Sequence, residues 1–356
     1  KFLVAGEAGE EITVEAGTIK AAASSAFGAD GNTITVLDGA TLDINSAWGV
    51  NHDFNAVIAG NGVDGAGAIV SNGTKDNQAG FRSITLTADA SIGGIWRFDV
   101  RPIVPGTAEL NLSGHTLTKQ GLNKVALVDG SMTDPGSIEI NSGNLSFTRM
   151  VVSGDGHVGI HAGATLQFEN YSSGSFAKDL AVDGGTVLTT GAALTVVSDV
   201  TLANTATFQT DANLTIDGTV TGTGNLTKTG TAALVLADDA THSGGTTVSA
   251  GTLQIGTGGT TGWLAHGITN NGTVAFNRAD SVAYANVISG TGALTQMGPG
   301  TLTLEAAQTY GGATNVNGGT LQINVANALP ATTAVTLANA AGATLDPNGL
   351  DQEIRT

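Results

Sequence analysis

A long internal repeat narrows the possible folds more than any other feature of this chain. Residues 222–255 align with residues 290–323 without a gap at an offset of 68, and 17 of the 34 aligned positions are identical. Gly251-Thr252-Leu253-Gln254-Ile255 returns in full as Gly319-Thr320-Leu321-Gln322-Ile323, and Gly222-Thr223-Gly224 as Gly290-Thr291-Gly292. Leu226, Leu234, Leu236 and Val248 correspond to Leu294, Leu302, Leu304 and Val316. Units that repeat in this way cannot each bury an apolar face alone. They must stack, and each is stabilised by its neighbours.

Inside and outside the repeat the local pattern has period two. Thr33-Ile34-Thr35-Val36-Leu37, Ser83-Ile84-Thr85-Leu86-Thr87, Ser137-Ile138-Glu139-Ile140 and Ala193-Leu194-Thr195-Val196 put Ile, Leu or Val on one face and a polar residue on the other. Gly, Asn or Asp closes nearly every run, which supplies the turns. Helical periodicity is nearly absent; the best short candidate is Ile19-Lys20-Ala21-Ala22-Ala23. A shorter formula, Gly, a small residue, Thr and an apolar residue, recurs at Gly39, Gly163, Gly185, Gly272 and Gly342. In places the modules fall about 20 residues apart, as from 163 to 185. That suits one coil of a β-helix better than the roughly 40–45 residues of a propeller blade.

The expected fold is all-β, a single right-handed parallel β-helix (β-solenoid) whose coils stack about 4.8 Å apart. Residues 1–200 are expected to form less regular coils with longer loops. Residues 201–356 are expected to carry the two 34-residue units, continuous with the first part. The expected core of the repeats is Leu226, Leu234, Leu236, Val248, Leu253 and Ile255, with Leu294, Leu302, Leu304, Val316, Leu321 and Ile323 in the second copy.

Composition bounds the function. Charged residues are only 12% of the chain, and 13 Lys and Arg stand against 30 Asp and Glu, for a net charge of −17. Nucleic-acid binding needs a basic surface that can displace counterions, so no nucleic-acid partner is expected. No apolar run is long enough to cross a membrane as a helix, so no direct membrane insertion of this segment is expected. There is no Cys, hence no disulfide framework and no thiolate metal site. The chain starts at Lys1 without a visible signal peptide and reads as a trimmed fragment.

The two repeat copies resemble the passenger-associated repeat of bacterial autotransporters, roughly Gly-x-Gly-x-Leu-x-Lys-x-Gly, then x-Leu-x-Leu, Tyr-x-Gly-x-Thr-x-Val and Gly-x-Leu. The first copy carries Lys228, Gly230, Gly244, Thr246 and Val248, with His242 at the usual aromatic position. The second has Tyr310 there, but Gln296 in place of the Lys. The segments Asn111–Lys119 and Ala343–Gln352 also look like β-helix segments of such surface proteins. The resemblance implies an extracellular or cell-surface location, with outer-membrane association through a missing segment. It bears on fold and secretion route more than on activity, because the same scaffold carries adhesins, proteases and passive stalks.

A search for chemistry finds little, and no catalytic residue, cofactor or metal site is expected. No Gly-x-Ser-x-Gly surrounds any Ser. Arg97, Asp99 and Arg101 share a strand face, which fits an outward salt-linked patch better than an acid–base pair for sugar cleavage. His157 and His161, four apart in a strand context, are expected to lie too far apart to share an ion. Trp48 near His52, and Trp96 beside Arg97, are candidate sugar-stacking platforms. Possible glycan contacts are therefore Trp48, Trp96 and Arg97. Phe168, Phe208 and Phe276 read as interior stacks. The function expected from these signs is a cell-surface passenger or stalk that displays contact surfaces. A filament or sheath subunit and a glycan-degrading β-helix enzyme are the alternatives. The partners would be other cell-surface proteins or glycans, or further copies joined at the coil ends.

Overall fold

The structure, a computed structural model, describes residues 9–46, 53–76, 78, 80–171, 175–339 and 342–354. Among these residues there is no α-helix; short strands are joined by turns and by two 3-10 turns, Ser24–Phe27 and Val63–Gly65. The chain divides into two compact units, Lys1–Ala192 and Ala193–Thr356.

In the first unit the chain winds into coils that pair in parallel. Glu11–Val14 lies against Thr33–Val36, which lies against Phe54–Gly60, which lies against Gly80–Gly94. The register stacks Ile12, Ile34, Ala56 and Ile84 in one column and Val14, Val36, Ile58 and Leu86 in the next. A second set of strands stacks Ile19, Leu42, Ile69 and Ile92. Ile19 and Lys20, read from sequence as the start of a short helix, belong instead to the strand Gly17–Lys20. Five residues cannot offset the cost of helix nucleation, whereas pairing with Ala40–Asp43 satisfies the backbone directly. Coil length varies here. Leu145, Leu166 and Val187 follow at 21 residues, while Ala56 and Ile84 are 28 apart.

The second unit is more regular. Leu194, Leu214, Leu234, Leu253, Val274 and Leu294 form one inward column, with 19 to 21 residues per coil. Val196, Ile216, Leu236, Ile255 and Phe276 form the column beside it. In Thr252–Ile255 and Thr320–Ile323 the alternating Thr and Gln are the half-exposed outer positions. Leu226, Leu234, Leu236, Val248, Leu253 and Ile255, and likewise Leu294, Leu302, Leu304, Val316, Leu321 and Ile323, are all 0% exposed. Burying each such side chain contributes about 1.5–3 kcal/mol.

The repeat also places polar groups inside, each for a reason visible in the backbone. Lys228 stands in the inward column between Phe208 and Val248 and is fully buried. Its ammonium donates to the carbonyls of Thr229 (2.7 Å), Gly230 (2.9 Å) and Ala250 (3.0 Å). These corner carbonyls point away from the ladder, and a buried carbonyl without a donor is costly. In the second copy Gln296 serves the same corner with one amide, donating to Gly298, which matches Gly230, and to Gly300, at 3.0 Å each. Lys119, buried between Ile92 and Ile140, gathers the carbonyls of Gln120, Gly121 and Ser142. Burial pushes Lys228 down to about 8 and Lys119 to about 7.

His242 and Tyr310 occupy matching interior sites. His242 Nε2 lies 3.2 Å from Thr246 Oγ1, which in turn lies 2.9 Å from His266 Nε2. Tyr310 bonds Thr314, which bonds Thr333 at 2.9 Å. The first Gly of each copy is required by space as well as by conformation. Gly222 has φ +103° and Gly290 φ +93°, and an added Cβ would lie 2.1 Å from the Leu202 carbonyl and 2.2 Å from that of Asn270.

Candidate functional site

The first region singled out by sequence lies on the first unit. Trp48 and His52 fall outside the described residues. Trp96 is half-buried, and its carbonyl accepts a hydrogen bond from Asn123 at 3.1 Å. Arg97, Asp99 and Arg101 do come together. Arg97 donates through Nε (2.8 Å) and Nη2 (3.0 Å) to the Asp99 carboxylate, and Arg101 donates through Nε (3.2 Å) and Nη2 (3.0 Å). Asp99 is 0% exposed; the small residues Ala126 and Ser146 follow it in its column. Further along the face Lys124 meets Glu169 at 2.9 Å, and Arg149 meets Asp129. Burial would lower Arg97, but its hydrogen bond to Asp99 and the charges of Asp99, Glu169 and Asp76 hold it above its ordinary value. Glu169 is held low by its hydrogen bond from Lys124. The cations of this face are thus matched by carboxylates of the same face.

His157 and His161 lie on one outward strand face, His157–His161. The sequence reading held that four residues of strand keep them too far apart to share an ion; in the structure they are joined instead through a carboxylate. Glu139, in the next strand, takes His157 Nε2 on one oxygen (2.7 Å) and His161 Nε2 on the other (2.8 Å). Gly159 sits between them opposite Glu139, and a Cβ there would come within 2.0 Å of the carboxylate. Among the described residues no group of three His, Asp or Glu is placed to hold a metal ion. No helix among them is long and apolar enough to cross a membrane.

The second unit holds a hollow of about 290 Å³ that the sequence reading did not find. Its walls are Asp239, Thr260, Thr261, Trp263, Arg278, Val282 and Ala283. The loop after Ile255 carries three glycines at positive φ, Gly256, Gly258 and Gly262. Arg278, 8% exposed, fastens the loop from beneath. Its Nη1 donates to the Gly262 carbonyl and its Nη2 to that of Thr260, both at 2.6 Å, while Asp280 takes Nε and Nη2 at 2.9 and 2.7 Å. Thr261 donates to the Ala237 carbonyl at 2.8 Å. Trp263 packs edge-on against buried Tyr284, with ring centroids 6.0 Å apart. A Trp closing a Gly-rich run, in a chain whose aromatic content is 4%, was the available signal. A second hollow, of about 480 Å³ in the first unit, is lined by Asp38, Gly60, Asn61, Ala88, Asp89 and His115.

Comparison with known proteins bears on the repeats. The Passenger-associated-transport-repeat family model matches residues 226–255 and 294–323. A curated relative, the adhesin BmaC autotransporter of Brucella suis biovar 1 (strain 1330), is 39% identical over 108 residues, which is 30% of this chain. The matched stretch spans 3% of that relative's length. No solved structure gives a significant match. Two such repeats, wound into a parallel β-solenoid with Lys228 and Gln296 at corresponding inward positions, make this part of the chain similar to autotransporter passenger domains.

Proposed function

We propose that the chain is an adhesive, non-enzymatic passenger whose coils hold contact surfaces out to other cell-surface proteins or glycans. One observation carries the reading against an enzyme. The outward carboxylates best placed for chemistry, Asp99 and Glu139, are each bound on both oxygens by side chains of the same chain. A general acid or base must reach the proton it moves; Asp99 is 0% exposed, and Glu139 is committed through one oxygen to each of two imidazoles. The likeness to a stretch of an adhesin supports the positive half of the reading. The fold supports it too, since the inward columns supply stability and leave outward residues free to vary. Weak contacts repeated along such a surface add up without any single strong site.

Cell binding tests this. Beads coated with the folded chain should adhere saturably to host-type cells, and beads coated with heat-unfolded chain should not. Equal retention of both preparations would defeat the adhesive reading. Release of reducing ends from polysaccharides by the folded chain would defeat the non-enzymatic one.

A further inference from the structure

We propose that the hollow beside Trp263 is a binding site for one neutral sugar ring of a glycan; this rests on the adhesive reading above and gives that adhesion a ligand class. The argument starts from what lines the hollow. Trp263 offers a half-exposed aromatic surface fixed from behind by Tyr284. A flat aromatic side chain next to polar groups suits a ligand with one apolar face and a polar rim, which describes a pyranose. Val282 and Ala283 extend the apolar wall, and Asp239, Thr260 and Thr261 supply the rim. A carboxylate accepts up to two hydroxyl hydrogens, and each Thr hydroxyl can accept as well as donate. The volume, about 290 Å³, is near the lower bound of small-molecule sites and accommodates a single ring.

Charge selects within sugars. Arg278 reaches the hollow, but its guanidinium is already committed to Asp280 and to the carbonyls of Gly262 and Thr260. Asp239 is exposed at the edge, and the chain as a whole carries −17. A sialic or uronic acid would therefore meet a carboxylate with no uncommitted cation to offset it. A quaternary ammonium would favour a cage of several aromatic rings, and here Trp263 alone lines the hollow.

The site is built in advance. Gly256 donates to the Leu236 carbonyl, Gly258 to that of Asn277, Ala279 to that of Gly259 and Ala240 to that of Trp263, all at 2.8 Å. With Arg278 beneath it and Thr261 bonded to the Ala237 carbonyl, the loop from Gly256 to Trp263 is pinned along its whole length. Little ordering is left for the ligand to impose, and that raises affinity for a small ligand.

The test uses the full chain on an array of immobilised neutral and acidic oligosaccharides, with competition by free methyl hexosides and by choline. Wild type should retain neutral glycans and lose them to methyl hexosides. Trp263→Ala should weaken retention at least tenfold, Trp263→Phe should restore part of it, and Asp239→Asn, at an exposed position that leaves packing intact, should weaken it several-fold. Circular dichroism checks that each variant is folded. The proposal is overturned by neutral-glycan binding indifferent to both Trp263→Ala and Asp239→Asn, by preference for acidic glycans, by displacement with choline alone, or by no retention of any neutral glycan. Bead adhesion to cells separates the two readings. Adhesion equal in wild type and Trp263→Ala, with a silent array, removes the sugar site and leaves the adhesive role standing. No adhesion by wild type removes the adhesive role whatever the array shows.

Discussion

Acid should loosen the first repeat copy through His242, and the second copy shows how to prevent it. His242 is 1% exposed, and its Nδ1 has no hydrogen-bond partner. Burial, and secondarily the neighbouring His266 ring at 4.5 Å between centroids, pushes its pKa from the ordinary 6.5 to about 4. Burial also lowers His266. An unfolded chain takes up a proton at this position as pH falls through about 6.5; the folded chain resists until about 4. The stability tied to neutral His242 is therefore complete above 6.5, is lost progressively toward 4, and levels off below. At about 1.4 kcal/mol per pH unit the loss is about 3 kcal/mol. Tyr310 with Thr314 and Thr333 fills the matching site without a group that titrates in this range, since burial pushes the Tyr310 phenol up to about 12. His242→Tyr combined with His266→Thr copies that arrangement. The assay is urea unfolding at pH 7 and 4.5 in a Trp48→Phe, Trp96→Phe background, so that Trp263 reports on the second unit. Carboxylates held low, such as Asp280 beside Arg278 and Asp346 beside Gln322, titrate alike in both chains and cancel. The native chain should lose about 2–3 kcal/mol more than the double variant between these pH values. Identical losses would refute the assignment.

Three further outcomes follow from the interior. Lys228→Gln should cost under about 1 kcal/mol, because Gln296 stands at the corresponding position, whereas Lys228→Leu takes the ammonium from the Gly230 and Ala250 carbonyls, leaves Thr229 only the 3.4 Å contact from Thr210, and should cost about 2 kcal/mol or more in thermal melts. Leu321→Asp puts a carboxylate into a fully buried site and should abolish the cooperative melt of the second unit; an unchanged curve would contradict the inward assignment. Gly290→Ala combines a positive φ with a 2.2 Å clash against the Asn270 carbonyl, and a loss below about 1 kcal/mol would mean the coil corner can yield.

What the sequence revealed and what it hid divide along the two faces of each strand. Leu253 and Leu321 were legible because period two and a 68-residue offset both mark them, and stacking leaves an inward Leu one place to go. Lys228 was legible as a family position but not as a buried one. A lysine reads as a surface residue until the three corner carbonyls are seen converging on it. Arg97, Asp99 and Arg101 were read as a salt-linked patch on one face, and both guanidiniums do bond Asp99; that Asp99 would be 0% exposed beneath them is what spacing does not fix. His157 and His161 were judged by backbone distance alone. Glu139, 18 residues before His157, bridges them from the neighbouring coil across the space left by Gly159. The hollow at Trp263 was invisible for a similar reason. Asp239, Trp263 and Val282 come from successive coils, and only the winding brings them together.

That last case shows where such a scaffold can change without cost to its fold. The two copies agree through Ile255 and Ile323 and then part. Gly256–Trp263 in the first copy corresponds at the 68-residue offset to Asn324–Ala331, and Arg278 corresponds to Asp346. The strand columns tolerate this because each coil is stabilised by its neighbours through the inward Leu and Ile, which both copies keep. A loop at a coil corner is coupled to the rest through its own pins, here Arg278, four backbone hydrogen bonds, the Thr261–Ala237 bond and the Trp263–Tyr284 contact. Selection on binding can therefore rewrite one corner while the next keeps its packing. The repeats that carry the family resemblance consequently say least about what the chain touches, and the ligand must be sought where the two copies disagree.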